Sequence, residues 1–361
     1  MYIPREFGTA TTVPVQARVS MPRSHTLPAF AALALLMAWT PAAAEPAGPA
    51  SEQNDSRLLN EVKRHADAAK GTVGVSALHL ETNRRFNFNA QQTFPMASTY
   101  KVAIAATVLD AVDRGRMSLA TMVPIVPHHL VAGDMLRTGF AHPGISLSLA
   151  NLLELMITLS DNSATDVLLE HVGGPAAVNR RLAELRIPAL RVDRSTANIL
   201  RDYLSLPRPS TPMAFDKQMA SLRPDELASI QAIGQTQVNA SFETDPRDSA
   251  TPASMTSLLA SLWQGKALRR PTRDFVVAVM SRTSTGKTRI RGALPPGTPV
   301  AHKTGTVPGI TNDVGVVTLP DGNHLVLSIF IKGSPAPLEQ REQAIAQITR
   351  TVFDYFILRP N

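Results

Sequence analysis

Two stretches of the chain place a serine hydroxyl and a lysine ammonium three residues apart, Ser98-Thr99-Tyr100-Lys101 and Ser284-Thr285-Gly286-Lys287. On a helix such positions share a face, so the amine lies beside the hydroxyl. A serine is a weak nucleophile until a base takes its proton. Lysine can be that base when burial or neighbouring cations lower its pKa. Acyl transfer through a covalent serine is the chemistry this pair supports. The first stretch runs into TYKVAIAATVLDAVDRG, an apolar helix opened by Ser98 and closed at Gly115. Free backbone N–H groups and the helix dipole at that start suit developing negative charge. The second runs into a Gly/Arg-rich turn. On spacing alone, Ser98 also reads as an N-cap serine beside an exposed lysine.

Two further polar triplets stand out. Ser160-Asp161-Asn162 follows the apolar helix LANLLELMITL. Its serine could relay a proton to a leaving group and its asparagine could hold a substrate amide; it equally suits a plain helix junction. Lys303-Thr304-Gly305-Thr306 falls on an expected strand. There a glycine lets a ligand approach the edge, and a lysine beside a hydroxyl suits a carboxylate. The alternative is an ordinary strand with a bulge. His128-His129 raises the question of a metal, but adjacent residues rarely share an ion and no H-E-x-x-H is present, so they read as loop residues and no metal or cofactor is expected.

The elements that must carry these groups follow from periodicity. Residues 55–70 read as a helix ending at Gly71, TVGVSALHLE as a strand, Thr82-Asn83 as a turn and 85–88 as a returning strand. Helices are expected over 148–172, 174–186, 254–264 and 272–282. PVAHKTGT, TNDVGVVTL and HLVLSIFIKG then read as strands, with Pro320-Asp321-Gly322 as a hairpin turn and a last helix over 338–356. The fold class expected is α+β, an α/β sandwich: one antiparallel sheet from both chain ends with flanking helices, plus an all-helical region. Residues 199–250 are the least regular part, with one possible helix near 223–233.

Hydrophobic residues form 44% of the 361, enough for a sizeable core, and cysteine is absent, which excludes disulfides and thiolate chemistry. The net charge of +7 comes from scattered basic residues, which argues against a nucleic-acid partner. LPAFAALALLMAW, flanked by Arg23 and Ala42-Ala43-Ala44, reads as a signal peptide over about 21–44 rather than a stable membrane anchor. Met21 offers an alternative start. The expected organisation is an export leader over 1–44, a flexible linker over 45–54 and one catalytic domain over 55–361. Within that domain, 55–97 and 270–361 form the α/β part and 98–269 the mainly helical part. The mature chain is expected to be periplasmic or secreted, and monomeric.

S-x-x-K, S-D-N and K-T-G in this order, each in the fitting local structure, resemble the class A serine β-lactamases and the related penicillin-binding proteins. The resemblance runs from about Asn60 to Ile357. It includes FPMAS, TNDVG and the block RIRGALPPGTPVAHKTGT. It implies that Ser98 is acylated by a β-lactam or an acyl-D-alanyl-like molecule and that Lys101 helps activate it. Ser160 and Lys303 would lie on the proton path to the leaving nitrogen. Asn162, Thr304, Lys303, Thr306 and an auxiliary Arg289 would bind substrate, with a surface arginine as the other reading of Arg289. The backbone N–H groups of Ser98 and Thr306 would form the oxyanion hole.

One part of the pattern is missing. Class A enzymes carry a loop glutamate that activates the deacylating water, and in Asp193-Arg194-Ser195-Thr196-Ala197-Asn198 the position is Thr196. A neutral hydroxyl is a poor general base near pH 7. Arg194 and Asp248 are expected to pair across the loop neck, around an insertion of roughly 199–244. Asp202 is the first candidate for a replacement base, ahead of Asp216, Glu226 and Glu243; Lys101 serving both steps and a more labile ester substrate are the other routes. The activity expected is β-lactam hydrolysis. A penicillin-binding, acyl-trapping protein or a D-alanyl peptidase or esterase of the same fold is the alternative.

Overall fold

The computed structural model describes residues 49–358 apart from 132–133, 141, 143, 212, 229 and 231–237, with backbone alone for 49–54. The expected export leader therefore lies outside the described residues.

A five-stranded antiparallel sheet runs in the order β2-β1-β9-β8-β7. Its strands are β1 (Thr72–His79), β2 (Arg85–Phe88), β7 (Val300–Val307), β8 (Ile310–Thr318) and β9 (His324–Lys332). Short pairs β3 (Phe94–Pro95) with β6 (Ser249–Ala250), and β4 (Met122–Pro124) with β5 (Ser146–Ser148), complete the strands. The sheet is built from both ends of the chain, as expected, because β1 pairs with β9 along its whole length, from Thr72↔Lys332 to His79↔Leu325.

Both faces of the sheet are covered, which explains why its central strands read as nearly continuous apolar runs. Val73, Val75, Leu327, Ile329 and Ile331 pack on one side with α1 (Pro49–Ala68) and α12 (Leu338–Ile357). Val314, Val326 and Phe330 pack on the other, continuous with the core of the helical region. That region contains α2 (Lys101–Asp113), α3 (Met135–Thr138), α4 (Leu149–Thr158), α5 (Asn162–His171), α6 (Gly174–Glu184), α7 (Thr196–Tyr203), α8 (Phe215–Ala220) and α9 (Ala240–Glu243). Helices α10 (Pro252–Trp263) and α11 (Arg270–Ser281) return the chain to the sheet.

Three boundaries differ from the sequence reading. The first helix begins at Pro49, inside the expected linker, since proline is tolerated in a first turn and the following Ser/Glu/Gln run is helix-compatible. The segment 148–172 breaks at Ser160, whose φ of 59° is left-handed, and restarts with the Asp161 side chain accepting from the Ala164 N–H. The helix expected from Ser98 begins at Lys101, preceded by a 3₁₀ turn over Ala97–Tyr100.

Candidate active site

Ser98 therefore sits in a tight turn rather than as a helix cap. The turn is held from three sides. The Met96 N–H donates to the Asp248 carbonyl at 3.0 Å. The Asn312 Nδ2 donates to the carbonyls of Pro95 and Met96 at 2.9 and 3.0 Å. The Lys101 backbone N–H bonds back to the Ser98 carbonyl. Ala97 has φ 45°, a region that costs energy for a residue with a Cβ and persists where its surroundings over-determine it. Gly305 of β7 presses against this turn: a Cβ there would lie 2.6 Å from the Met96 oxygen and 3.0 Å from the Ser98 nitrogen. Only glycine admits the K-T-G strand so close to the serine.

Two buried lysines meet one hydroxyl, that of Ser160. Lys101 Nζ donates to the Ser160 carbonyl at 2.7 Å, to Ser160 Oγ at 3.3 Å and to Asn162 Oδ1 at 2.8 Å. Lys303 Nζ donates to the same Ser160 Oγ at 3.0 Å and to the Thr304 carbonyl at 2.8 Å. Neither amine is exposed. Burial pushes Lys101 down to about 8, against the pull of Asp134, Asp161 and Asp166. Burial and then the Lys101 charge push Lys303 well below the ordinary lysine range. The left-handed Ser160 is what turns its carbonyl and hydroxyl to the same amine.

Asn162, the first residue of α5, bridges Lys101 and Asp134. Its Nδ2 donates to Asp134 Oδ1 at 3.2 Å, while Asp134 Oδ2 accepts from the N–H groups of Asn162 and Ser163 at 3.0 and 2.8 Å. Burial, and then Asp161, raise Asp134 to about 6. One turn along α5, the buried Asp166 accepts from the N–H groups of Thr196 and Ala197, and so fastens the start of the loop to the helix.

The residues expected to bind substrate fall on or behind β7. Thr306 is exposed, and Arg289 Nη2 donates to its hydroxyl at 2.7 Å. Arg289 is buried, donates to the carbonyls of Gly305 and Asn312, and pairs with Glu342 at 3.0 Å; the surface-arginine reading is overturned. Thr304 is buried, with its hydroxyl 2.6 Å from that of Thr285. The second S-x-x-K stretch thus buttresses the strand, and its Ser284 donates to the Thr158 carbonyl of α4 at 2.9 Å.

The loop neck closes as its pairing demands. Arg194 Nε donates to Asp248 Oδ2, and Asp248 Oδ1 accepts from the N–H groups of Asp193 and Arg194 at 2.7 and 3.1 Å. Asp202, expected as a replacement base, belongs to the same neck in this structure. Its Oδ2 is held by Arg194 at 2.8 Å, Arg208 at 3.1 Å and Arg247 at 3.2 Å. Partial burial opposes its ionisation, but the hydrogen bonds from Arg194 and Arg208 win and hold it below the ordinary carboxylate range. The other inserted carboxylates are engaged elsewhere: Asp216 with Arg137, Glu226 with Arg223 and Glu243 with the Gly333 N–H. Thr196 is buried, its Oγ1 hydrogen-bonded to the Tyr100 hydroxyl.

Sequence reasoning missed Asp134, Asp166, Tyr100 and Asn312. Asp166 had a signal, since it lies four residues after Asn162 on an expected helix. Asn312 lay in the TNDVG flank. Asp134, in the irregular stretch before α3, had none.

Known proteins resemble this chain over most of its length. The chain matches the beta-lactamase enzyme family model, Beta-lactamase2, over residues 57–356. It is 28% identical over 317 residues to beta-lactamase VEB-1 of Pseudomonas aeruginosa, covering 85% of this chain and 93% of that one. It is 29% identical over 307 residues to the extended-spectrum beta-lactamase PER-1 of the same organism, covering 82% and 87%. The crystal structure of a beta-lactamase from Chitinophaga pinensis superposes with a TM-score of 0.66 at 30% identity, covering 84% of this chain and 99% of that one. Among the described residues no helix is long and apolar enough to cross a membrane. With the three polar triplets gathered at one sheet edge and the match extending over most of its length, the chain belongs to the beta-lactamase enzyme family, in its class A branch.

Proposed function

We propose that this protein is an exported serine β-lactamase that opens the lactam amide through a covalent acyl-enzyme on Ser98. The observation that carries the reading is the buried Lys101, brought to about 8 and hydrogen-bonded to both Ser160 and Asn162. Near neutral pH a useful fraction of this amine is uncharged and can take the Ser98 proton. The serine oxygen then bonds the lactam carbonyl carbon, and the backbone N–H groups of Ser98 and Thr306 steady the oxyanion. Ser160 Oγ accepts hydrogen bonds from both lysines, which leaves its own proton for the departing nitrogen. Lys101 returns the proton it took from Ser98 to Ser160, so acylation ends with a neutral amine and no net proton released.

That neutral amine is the base left for deacylation. Thr196 stands at the glutamate position, and the inserted carboxylates are bound by arginines or by backbone, so water activation falls to Lys101. Release of the acyl group is then slower than its formation. The Thr196 position also favours a second reading, a protein that acylates and stalls.

A chromogenic cephalosporin mixed rapidly with the mature chain separates these. The expected trace is a burst of one equivalent followed by slow steady turnover. A burst followed by a stable acyl mass establishes the trapping protein. No lactam reaction assigns the site to another acyl substrate, such as a D-alanyl peptide or an ester. Export is supported by the basic-apolar-small pattern over 21–44, and is tested by the N-terminal residue of protein recovered from outside the cytoplasm.

A further inference from the structure

Helix α5 does more than present Asn162. Asn162, Asp166 and Glu170 are spaced four residues apart and so lie along one face. Asn162 meets Lys101, Asp166 holds the loop, and Glu170 Oε2 meets two imidazoles, His128 Nε2 at 3.1 Å and His129 Nε2 at 3.0 Å. The histidines belong to a 3₁₀ turn over Pro127–His129, with ring centroids 4.4 Å apart. All three donor atoms lie within 4.8 Å of one another, and among the described residues this is the one such group of three. They border a cavity of about 510 Å³ that also reaches Asp166, Arg194 and Arg201.

We propose that His128, His129 and Glu170 form a binding site for a single divalent transition-metal ion of the zinc class, away from the acyl-transfer site. Zinc takes imidazole nitrogen and carboxylate oxygen at about 2.0–2.2 Å, which sets neighbouring donors roughly 3–3.5 Å apart. The two nitrogen–oxygen separations already fall in that range. The donor set of two imidazoles and one carboxylate suits zinc, nickel or copper, not calcium or magnesium. His129 is buried, His128 is partly exposed and the Glu170 side chain is mostly exposed, so the remaining coordination positions open to water.

Ligation moves the ring proton from Nε2 to Nδ1. The move gives up the Nε2–H···Glu170 contacts in exchange for bonds to the ion, and in His129 it leaves a buried Nδ1–H with no acceptor. Without that outer partner the affinity belongs on the order of micromolar rather than in the range of structural zinc. The ion would tie the histidine turn to the far end of the helix whose first residue meets Lys101.

The test is calorimetric titration of chelator-treated full chain with zinc chloride at neutral pH, paired with the visible spectrum of added cobalt(II). One equivalent binds, and the cobalt bands are those of a nitrogen–oxygen site. His128→Gln and Glu170→Gln each weaken binding by about tenfold or more, as loss of a metal-supporting group does. The Ser98 acylation burst of both variants is unchanged, which confirms that they are folded. Absence of zinc binding up to millimolar concentration overturns the proposal, as does binding of equal affinity in both variants. Neither result bears on the acyl-transfer reading, because the burst is read separately.

Discussion

Two clusters of charge in this molecule use the same kinds of group to opposite ends. Around Ser98, two lysines are buried against hydroxyl, carbonyl and amide oxygens, with no carboxylate in direct contact with either amine among the described residues. Both are pushed down toward neutrality. At the loop neck, Arg194 meets Asp248, Asp202 and Asp245 directly. Charge is quenched pairwise, and Asp202 becomes a weaker base than a free carboxylate. Burial with neutral partners makes a reactive amine; burial with opposite charges makes a clasp. On the proposed mechanism the first cluster moves protons, while the second holds a loop.

Removing the proposed nucleophile gives the largest effect. Ser98→Ala should abolish both burst and turnover, a loss of roughly three orders of magnitude or more. Covalent labelling that survives in Ser98→Ala would remove Ser98 from the mechanism and with it the meaning of the first cluster.

The lysine cluster also makes a pH prediction. With neutral Lys101 as the base proposed above, the acylation rate should climb roughly tenfold per pH unit below about 8 and level off above it. Asp134 pulls the lysine upward, so Asp134→Asn should move that limb to lower pH. A limb that stays put in Asp134→Asn breaks the link between the carboxylate and the amine. A rate that falls between pH 6 and 8 removes Lys101 as the base.

The clasp should answer in stability rather than rate. Arg194→Ala leaves the buried Asp248 without its cation, and breaking one side of a buried pair costs about 3–5 kcal/mol. Urea unfolding of the two proteins measures it. Thr196→Ala should cost less, about 1–3 kcal/mol, by leaving the buried Tyr100 hydroxyl without its partner. Its burst and steady rate should change little, since the threonine is not a base. A large drop in turnover at unchanged stability would give Thr196 a chemical role.

The contrast also explains what was readable in the sequence. The sheet was legible because β1, β8 and β9 are long apolar runs bounded by turn residues. The lysine cluster was legible because each member sits in a short motif of fixed spacing. The details that set its chemistry were not. The left-handed backbone of Ala97 and Ser160 is imposed by tertiary contacts on residues with no intrinsic preference for it. Asp134 reaches Asn162 from an irregular stretch whose course no periodicity predicts. The neck pair Arg194–Asp248 was found from local motif, but the arginine partners of Asp202 were not. Proximity in sequence to the missing glutamate said nothing of three arginines arriving from residues 194, 208 and 247.

Asp202 gives the smallest and most discriminating prediction. A carboxylate acting as the deacylation base must face a water beside Ser98 and have a pKa near the working range. Asp202 instead faces three guanidiniums, at the far end of α7 from Thr196, and its proton affinity is lowered. Asp202→Asn should therefore leave both burst and deacylation within about twofold of the parent and cost no more than about 1 kcal/mol, because part of the side chain meets solvent and Arg194 keeps Asp248 and Asp245. Deacylation slowed a hundredfold in Asp202→Asn, with the burst intact, would mean that the loop swings the carboxylate out of its arginines during turnover. The neck would then be a moving part of the catalyst rather than a clasp.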